Sequence, residues 1–124
     1  MHEKVQTFLT LFEIELNDLQ KDIELLIERY REDHDKEVIS NYVFLENIAL
    51  MKNELFGIDS FRDLVRSIEP TDYCSTILLA DDLRCNLRER CRSRGIAASI
   101  YLLAERKIRK ILSYIEHQQE VPVS

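Results

Sequence analysis

The feature that most constrains this chain is an unbroken apolar heptad pattern over residues 5–30. The segment contains neither Gly nor Pro, and acidic residues predominate between the apolar positions. The pattern predicts one long amphipathic helix over residues 2–33, with a length of about 48 Å at 1.5 Å per residue. The apolar positions recur alternately four and three residues apart, at Val5, Leu9, Phe12, Leu16, Leu19, Ile23, Leu26 and Tyr30.

Composition indicates that the rest of the chain is helical too. The 124 residues include two Gly, two Pro and no Trp, whereas 45% are hydrophobic and 32% are charged. A chain so poor in turn residues is not suited to many short strands. We therefore predict an all-α fold, a helical bundle with a long N-terminal helix. It forms a single domain over residues 1–117, followed by a frayed tail over residues 118–124.

A second helix is predicted to follow a charged turn at residues 31–37, with Asp33 or Asp35 as its N-cap. This helix should cover residues 36–56, where twelve of the nineteen residues from position 38 onwards are apolar. Such a helix is apolar on more than one side. We therefore expect it at the centre of a bundle or in an interface.

The remaining helices are delimited by the few Gly and Pro residues. Gly57 is expected to end the second helix as a left-handed C-cap, before a short helix that stops at Pro70. A further helix from about residue 72 should end at Gly95, and a C-terminal helix should carry an apolar face over residues 97–115. The short link at Gly95 predicts an antiparallel helical hairpin.

The length of the first helix indicates self-association. A compact domain of this size has a diameter of about 35 Å, which is shorter than the predicted helix. One end of the helix should therefore extend beyond the body, where a second chain would cover its apolar residues. We predict a homodimer, with another protein as a possible alternative partner. The expected partner-binding residues are Leu9, Phe12, Leu16, Leu19, Ile23 and Leu26.

Charge is distributed unevenly along the chain. The net charge of −6 argues against general affinity for nucleic acids or anionic lipids. Residues 84–110, however, carry nine Lys and Arg against two Glu, whereas residues 13–37 carry ten acids against four bases. This basic hairpin could bind phosphates, or its cations could offset a helix dipole and face the acidic first helix. The candidate anion-binding residues are Arg84, Arg88, Arg92, Arg106 and Arg109.

One pair of residues resembles a catalytic motif. Arg29 and His34 have the Arg-x4-His spacing, which is similar to that of the HEPN-type ribonucleases. That family consists of small all-α proteins with a composite site across a dimer. The resemblance covers these two residues and implies a dimeric ribonuclease in which Arg29 and His34 are the catalytic candidates.

No other motif indicates catalysis, a cofactor or a metal site. The three cysteines lack the CxxC spacing of zinc sites and are expected to be reduced thiols of a cytoplasmic protein. No uncharged run is long enough for a membrane span, so no membrane partner is predicted. The function that the sequence favours is a non-catalytic helical interaction or regulatory module that self-associates through its N-terminal helices. Nucleic-acid binding by the arginine-rich hairpin and ribonuclease activity are the alternatives.

Overall fold

The computed structural model describes residues 2–120, and side chains as far as residue 117. The described chain contains no strand, which confirms the all-α prediction. The predicted tail is in part helical, since positions 118–120 belong to the last helix, and its positions 121–124 lie outside the described residues. The elements are α1 (Glu3–Asp35), α2 (Asn41–Ser67), a 3₁₀ turn (Pro70–Asp72), α3 (Thr76–Arg94) and α4 (Ala98–Glu120).

Helices α1 and α2 run antiparallel to each other. Near the middle of α1, Arg62 of α2 donates to the side chain of Asn17 from both Nε and Nη2, at 3.1 and 2.9 Å. Further along, Arg66 Nη2 lies 2.6 Å from a carboxylate oxygen of Glu13. The pairing of later α2 residues with earlier α1 residues defines the direction of the hairpin.

The connection between α1 and α2 differs from the predicted turn. Helix α1 continues to Asp35 and ends with Glu37 in the left-handed region, at a φ of 61°. There the N–H of Val38 donates to the carbonyl of Asp33 at 2.8 Å, which satisfies one of the free carbonyls at the helix end. The N-cap of α2 is Ser40, whose hydroxyl accepts the N–H of Val43 at 3.2 Å. The prediction of an aspartate N-cap at position 33 or 35 was therefore wrong.

Gly57 does not end a helix. It lies in the middle of α2, so the predicted C-cap and the separate short helix after it were both wrong. A Cβ at this position would lie 2.7 Å from Cγ2 of Ile96 and 3.0 Å from Cγ2 of Ile100. Glycine is used here because it allows α4 and the residues before it to approach the α2 backbone closely.

Helices α3 and α4 are joined at Gly95, which ends α3 in the left-handed region at a φ of 67°, as predicted. Helix α3 begins later than expected, after Ser75, whose hydroxyl accepts the N–H of Leu78 at 3.2 Å. Between the two helices, Arg84 Nε donates to Glu105 at 3.0 Å. This arrangement is compatible with the predicted antiparallel hairpin.

The four helices enclose one apolar core. Helix α1 supplies a row of buried residues along its length, and α4 supplies a second row at helical spacing. At the polar edge between these two helices, the carboxylate of Glu15 forms ion pairs with Lys107 at 3.1 Å and with Lys110 at 2.8 Å. The largest fully buried side chains are Phe8, Phe12, Leu16, Ile58, Phe61, Leu79, Leu83, Leu87, Ile100 and Ile108.

Helices α3 and α4 cover only part of the α1–α2 hairpin. The turn between them lies beside Asn53, whose amide donates to the carbonyl of Gly95 at 2.9 Å and accepts the N–H of Ala97 at 2.8 Å. From this turn, the bodies of α3 and α4 both lie on the side of the C-terminal end of α2. Residues 41–52 therefore extend about 18 Å beyond these two helices. The antiparallel pairing places position 53 of α2 opposite position 26 of α1. We call residues 27–52 the arm.

Candidate functional site

Exposed apolar side chains are concentrated on the arm and at its base. Of the thirteen exposed large apolar residues in the described part of the chain, eight lie between positions 25 and 56. An apolar cluster of this kind typically marks a surface that another molecule covers. The eight residues are Leu25, Leu26, Val38, Tyr42, Val43, Leu45, Leu50 and Phe56.

Four apolar residues lie on one side of α2, and we call them the outer strip: Tyr42, Leu45, Ala49 and Phe56. Their spacings of three, four and seven residues keep them within about 60° of one another around the helix. The three large side chains are 74%, 56% and 50% exposed. The core-facing residues of the same segment, such as Ile48 and Met51, point away from the strip. The arm half of α2 is therefore apolar on its outer side as well as its inner side.

A second line of apolar residues follows α2 at intervals of seven. Gly57 in this line contacts Ile96 and Ile100, whereas Val43 and Leu50 are exposed because they lie beyond the turn between α3 and α4. The line thus continues the packing surface of α2 past the point where its partner helix begins. This line and the outer strip together make most of the surface of α2 within the arm apolar.

Two arginines meet at the foot of the outer strip, one turn after Phe56. Arg90 Nη1 donates to the carbonyl and the hydroxyl of Ser60 at 2.9 and 3.2 Å, and Arg94 Nη1 donates to the same hydroxyl at 3.2 Å. Burial lowers the pKa of Arg90, and the neighbouring charge of Arg94 lowers it further, while Asp63 opposes this effect. Neither guanidinium has a carboxylate within 4 Å among residues 2–117. Among the described side chains, the pair is thus a positive site that forms no direct ion pair.

The predicted partner-binding seam of α1 faces the protein's own core. Five of its six residues are at most 8% exposed: Leu9, Phe12, Leu16, Leu19 and Ile23. The sixth, Leu26, is 45% exposed, and Ile27 is buried in its place. A straight helix has 3.6 residues per turn, so its buried face drifts away from a strict heptad by about 20° per seven residues. These five residues are therefore packed within one chain, and only Leu26 remains at a surface.

The predicted anion-binding arginines are largely engaged in contacts within the hairpin. Arg84 lies 3.2 Å from Asp81 and 3.0 Å from Glu105, and Arg109 contacts the same Glu105 at 2.9 Å. Arg92 lies 3.6 Å from Glu89. These acidic partners lie in α3 and α4, whereas the alternative interpretation expected the cations to face α1, as Lys107 and Lys110 do through Glu15.

The other two of these arginines form no ion pair with the acidic side chains of residues 2–117. Arg88 lies 5.6 Å above the ring of Tyr101, a distance typical of a cation–π contact. Arg106 is exposed and forms no ion pair within the described side chains. The structure therefore does not bring the five candidates together around one unpaired positive site. The converging arginines are instead Arg90 and Arg94.

Arg29 and His34, the ribonuclease candidates, lie near the tip of the arm. Their spacing separates them by about 140° around α1. The His34 ring stacks on Phe44 at a centroid distance of 4.2 Å, and its Nε2 lies 3.1 Å from the side chain of Asn41. The cleft beside His34 is formed by residues 34–41 and does not include Arg29. These contacts give His34 a packing role between the two helices of the arm.

Sequence reasoning indicated the apolar excess of α2 but not which residues would remain exposed. The high apolar content of residues 38–56 was the available signal. Identification of the outer strip required knowledge of where the turn between α3 and α4 lies along α2. The convergence of Arg90 and Arg94 on Ser60 had no sequence signal, because the two arginines of α3 meet a residue of α2 that lies thirty or more positions earlier in the chain.

The described residues give no other indication of a site. They include no group of three or more His, Cys, Asp or Glu side chains that could hold a metal ion. Within the same part of the chain, no helix combines the length and apolar character that crossing a membrane requires. Comparison with protein-family models, curated proteins and solved structures finds no match for this chain.

Proposed function

We propose that this protein is a non-catalytic helical interaction module that self-associates through its N-terminal hairpin, with the outer strip of α2 in the interface. The observation that carries the proposal is the exposure of Tyr42, Leu45 and Phe56 on one face of a helix. Burial of this face against another surface would remove three large apolar side chains from water. The proposal retains the predicted N-terminal interface but moves it from the seam of α1 to α2.

The size of the strip indicates the strength of the association. Complete burial of one large apolar side chain contributes about 1.5–3 kcal/mol. Since these side chains are already partly covered, each would contribute about 1–2 kcal/mol, and two copies would supply about 6–12 kcal/mol. Association costs at least about 4 kcal/mol in lost rigid-body freedom. The apolar contribution alone therefore supports a weak to moderate dimer, to which other contacts should add.

Charge supports a second copy as the occupant of this surface. The tip of the arm, residues 31–37, carries four acids against two bases, whereas residues 88–94 carry four arginines against Glu89. One copy thus offers an acidic tip, and the other offers a basic patch beside the strip. Opposite charges at the two ends of an apolar surface favour one orientation of the complex. The free cysteines, two of them exposed, support the proposed cytoplasmic location.

A pair of matched variants tests the proposal by light scattering. Leu45→Glu places a charge in the outer strip, and Leu102→Glu places the same charge on α4 at an equally exposed position, 59% against 56%. We expect the average mass of the wild type and of Leu102→Glu to rise from the chain mass of 14.7 kDa towards twice that value as the concentration is raised to several hundred micromolar. Leu45→Glu should have the mass of one chain. A dimer that is equally stable in both variants would contradict the proposal.

A further inference from the structure

The two aromatic residues of the outer strip are placed symmetrically about Ala49. Tyr42 lies seven residues before Ala49, and Phe56 lies seven residues after it. Two antiparallel copies of such a strip, related by a two-fold axis at Ala49, place each aromatic ring opposite the other kind of ring. The small side chain at the axis allows the two helices to approach closely where they cross. The two aromatic positions are thus complementary in the antiparallel orientation, in which Leu45 faces the partner's Asn53.

On the basis of the proposed self-association, we infer that two copies pair their α2 helices antiparallel, with Ala49 on the two-fold axis and Tyr42 against the partner's Phe56. In this register, each α2 position of one copy faces the α2 position equally far from residue 49 on the opposite side. Position 57 then faces position 41 of the partner, so position 60 lies beside the turn that precedes the partner's α2. The arm tip of each copy accordingly lies at the foot of the other copy's outer strip.

This register supplies an anion for Arg90 and Arg94. Arg90 and Arg94 converge on Ser60, and the partner's arm tip brings carboxylates such as Asp35 and Glu37 to the same end of the interface. Guanidinium groups bind carboxylates through directional hydrogen bonds as well as charge. The ligand that we infer for the arginine pair is therefore a carboxylate of the second copy.

A parallel arrangement would not satisfy the same groups. It would place two acidic arm tips side by side and two arginine pairs side by side, so that like charges would face each other at both ends. Like-charge contacts across an interface cost free energy, whereas the antiparallel arrangement pairs opposite charges twice. Charge and strip symmetry thus favour the same orientation.

Cysteine cross-linking with a short bismaleimide linker tests the register. The background variant replaces Cys74, Cys85 and Cys91 by Ser and must retain the mass of the wild type. Ala49→Cys should cross-link rapidly with itself. Tyr42→Cys and Phe56→Cys should not cross-link alone, because equivalent positions would lie about 21 Å apart, but the double variant should form dimers.

The outcomes separate the two proposals. If the protein is dimeric but Tyr42→Cys alone cross-links as fast as the double variant, the antiparallel register is wrong and the interaction function stands. If Ala49→Cys cross-links no faster than Leu102→Cys while the protein is dimeric, the register is likewise overturned. If the protein is a monomer, the proposed self-association itself fails.

Charge reversal tests the arginine–carboxylate contact independently. Arg94→Glu alone and Glu37→Lys alone should each weaken dimerisation, because like charges would then meet. The double variant should recover affinity, since the reversed charges again attract each other. Equal losses that simply add in the double variant would overturn the inferred contact. Arg106→Glu, on the exposed face of α4, is the control and should leave the dimer unchanged.

Discussion

Replacement of Gly57 by alanine is predicted to destabilise the protein, although alanine is the better helix former. In an exposed helix the change would stabilise by about 1 kcal/mol. At Gly57, however, the new Cβ would lie 2.7 Å from Ile96 and 3.0 Å from Ile100, both of which are buried. Overpacking of this kind costs about 1–3 kcal/mol. The expected net effect is a loss of about 1 kcal/mol in the free energy of unfolding.

Urea unfolding measures this loss as a shift of the midpoint. With a slope of about 2 kcal/mol per molar urea, the midpoint should fall by about 0.5 M. Combining Gly57→Ala with Ile96→Ala removes the nearer of the two atoms that the new methyl group would meet. The double variant should therefore be more stable than the sum of the two single effects, by about 1 kcal/mol. A higher midpoint for Gly57→Ala, or strict additivity with Ile96→Ala, would refute the close-contact explanation.

Three further changes have predictable effects on the free energy of unfolding, each measured by urea titration. Glu37→Gly should stabilise by about 1 kcal/mol, because Glu37 holds a φ of 61° that glycine adopts without a steric cost. Burial raises the pKa of Glu54 above the ordinary 4.5. Glu54→Gln should therefore stabilise at pH 7, and its advantage should disappear below the unfolded-state pKa, where both side chains are neutral. Hydrogen bonding from Lys110 lowers the pKa of Glu15 against the opposing effect of burial, and Lys107 lowers it further. Glu15→Gln should therefore destabilise by about 1 kcal/mol at pH 7. This difference should shrink as the pH falls through the folded-state pKa of Glu15, because the protonated carboxyl no longer attracts the two lysines. An unchanged difference at pH 3 would contradict this assignment.

The periodic part of the sequence predicted the fold class and most of the face that α1 buries. The heptad residues from Val5 to Ile23 are buried, although the pattern omits Phe8, which is also buried, and at its C-terminal end Leu26 is exposed whereas Ile27 is buried. A heptad analysis assumes 3.5 residues per turn, whereas a straight helix has 3.6. The error therefore accumulates towards the C-terminal end of a long helix, where the departure is observed.

Local rules were less successful where a residue serves a tertiary contact. Gly95 follows its local rule, since it ends a helix in the left-handed region. Gly57 does not, because the proximity of Ile96 and Ile100 requires a residue without a side chain in mid-helix. A single sequence does not distinguish these two uses of glycine. The charged turn at residues 31–37 contains no Gly. Its left-handed position is occupied by Glu37, which no local rule would have identified.

The candidate surface could be predicted only in outline. The length of α1 indicated that one end of this helix would extend beyond the body, and the apolar excess of α2 indicated either the centre of a bundle or an interface. Which end extends depends on the position of the turn between α3 and α4 beside Asn53. That contact joins residues more than forty positions apart, so no local pattern contains it.

Sedimentation equilibrium of the wild-type chain over a wide concentration range tests self-association most directly. We predict a concentration-dependent rise from the mass of one chain, 14.7 kDa, to twice that mass, with no larger species because two-fold pairing closes the assembly. A constant mass of one chain at every concentration would contradict the account.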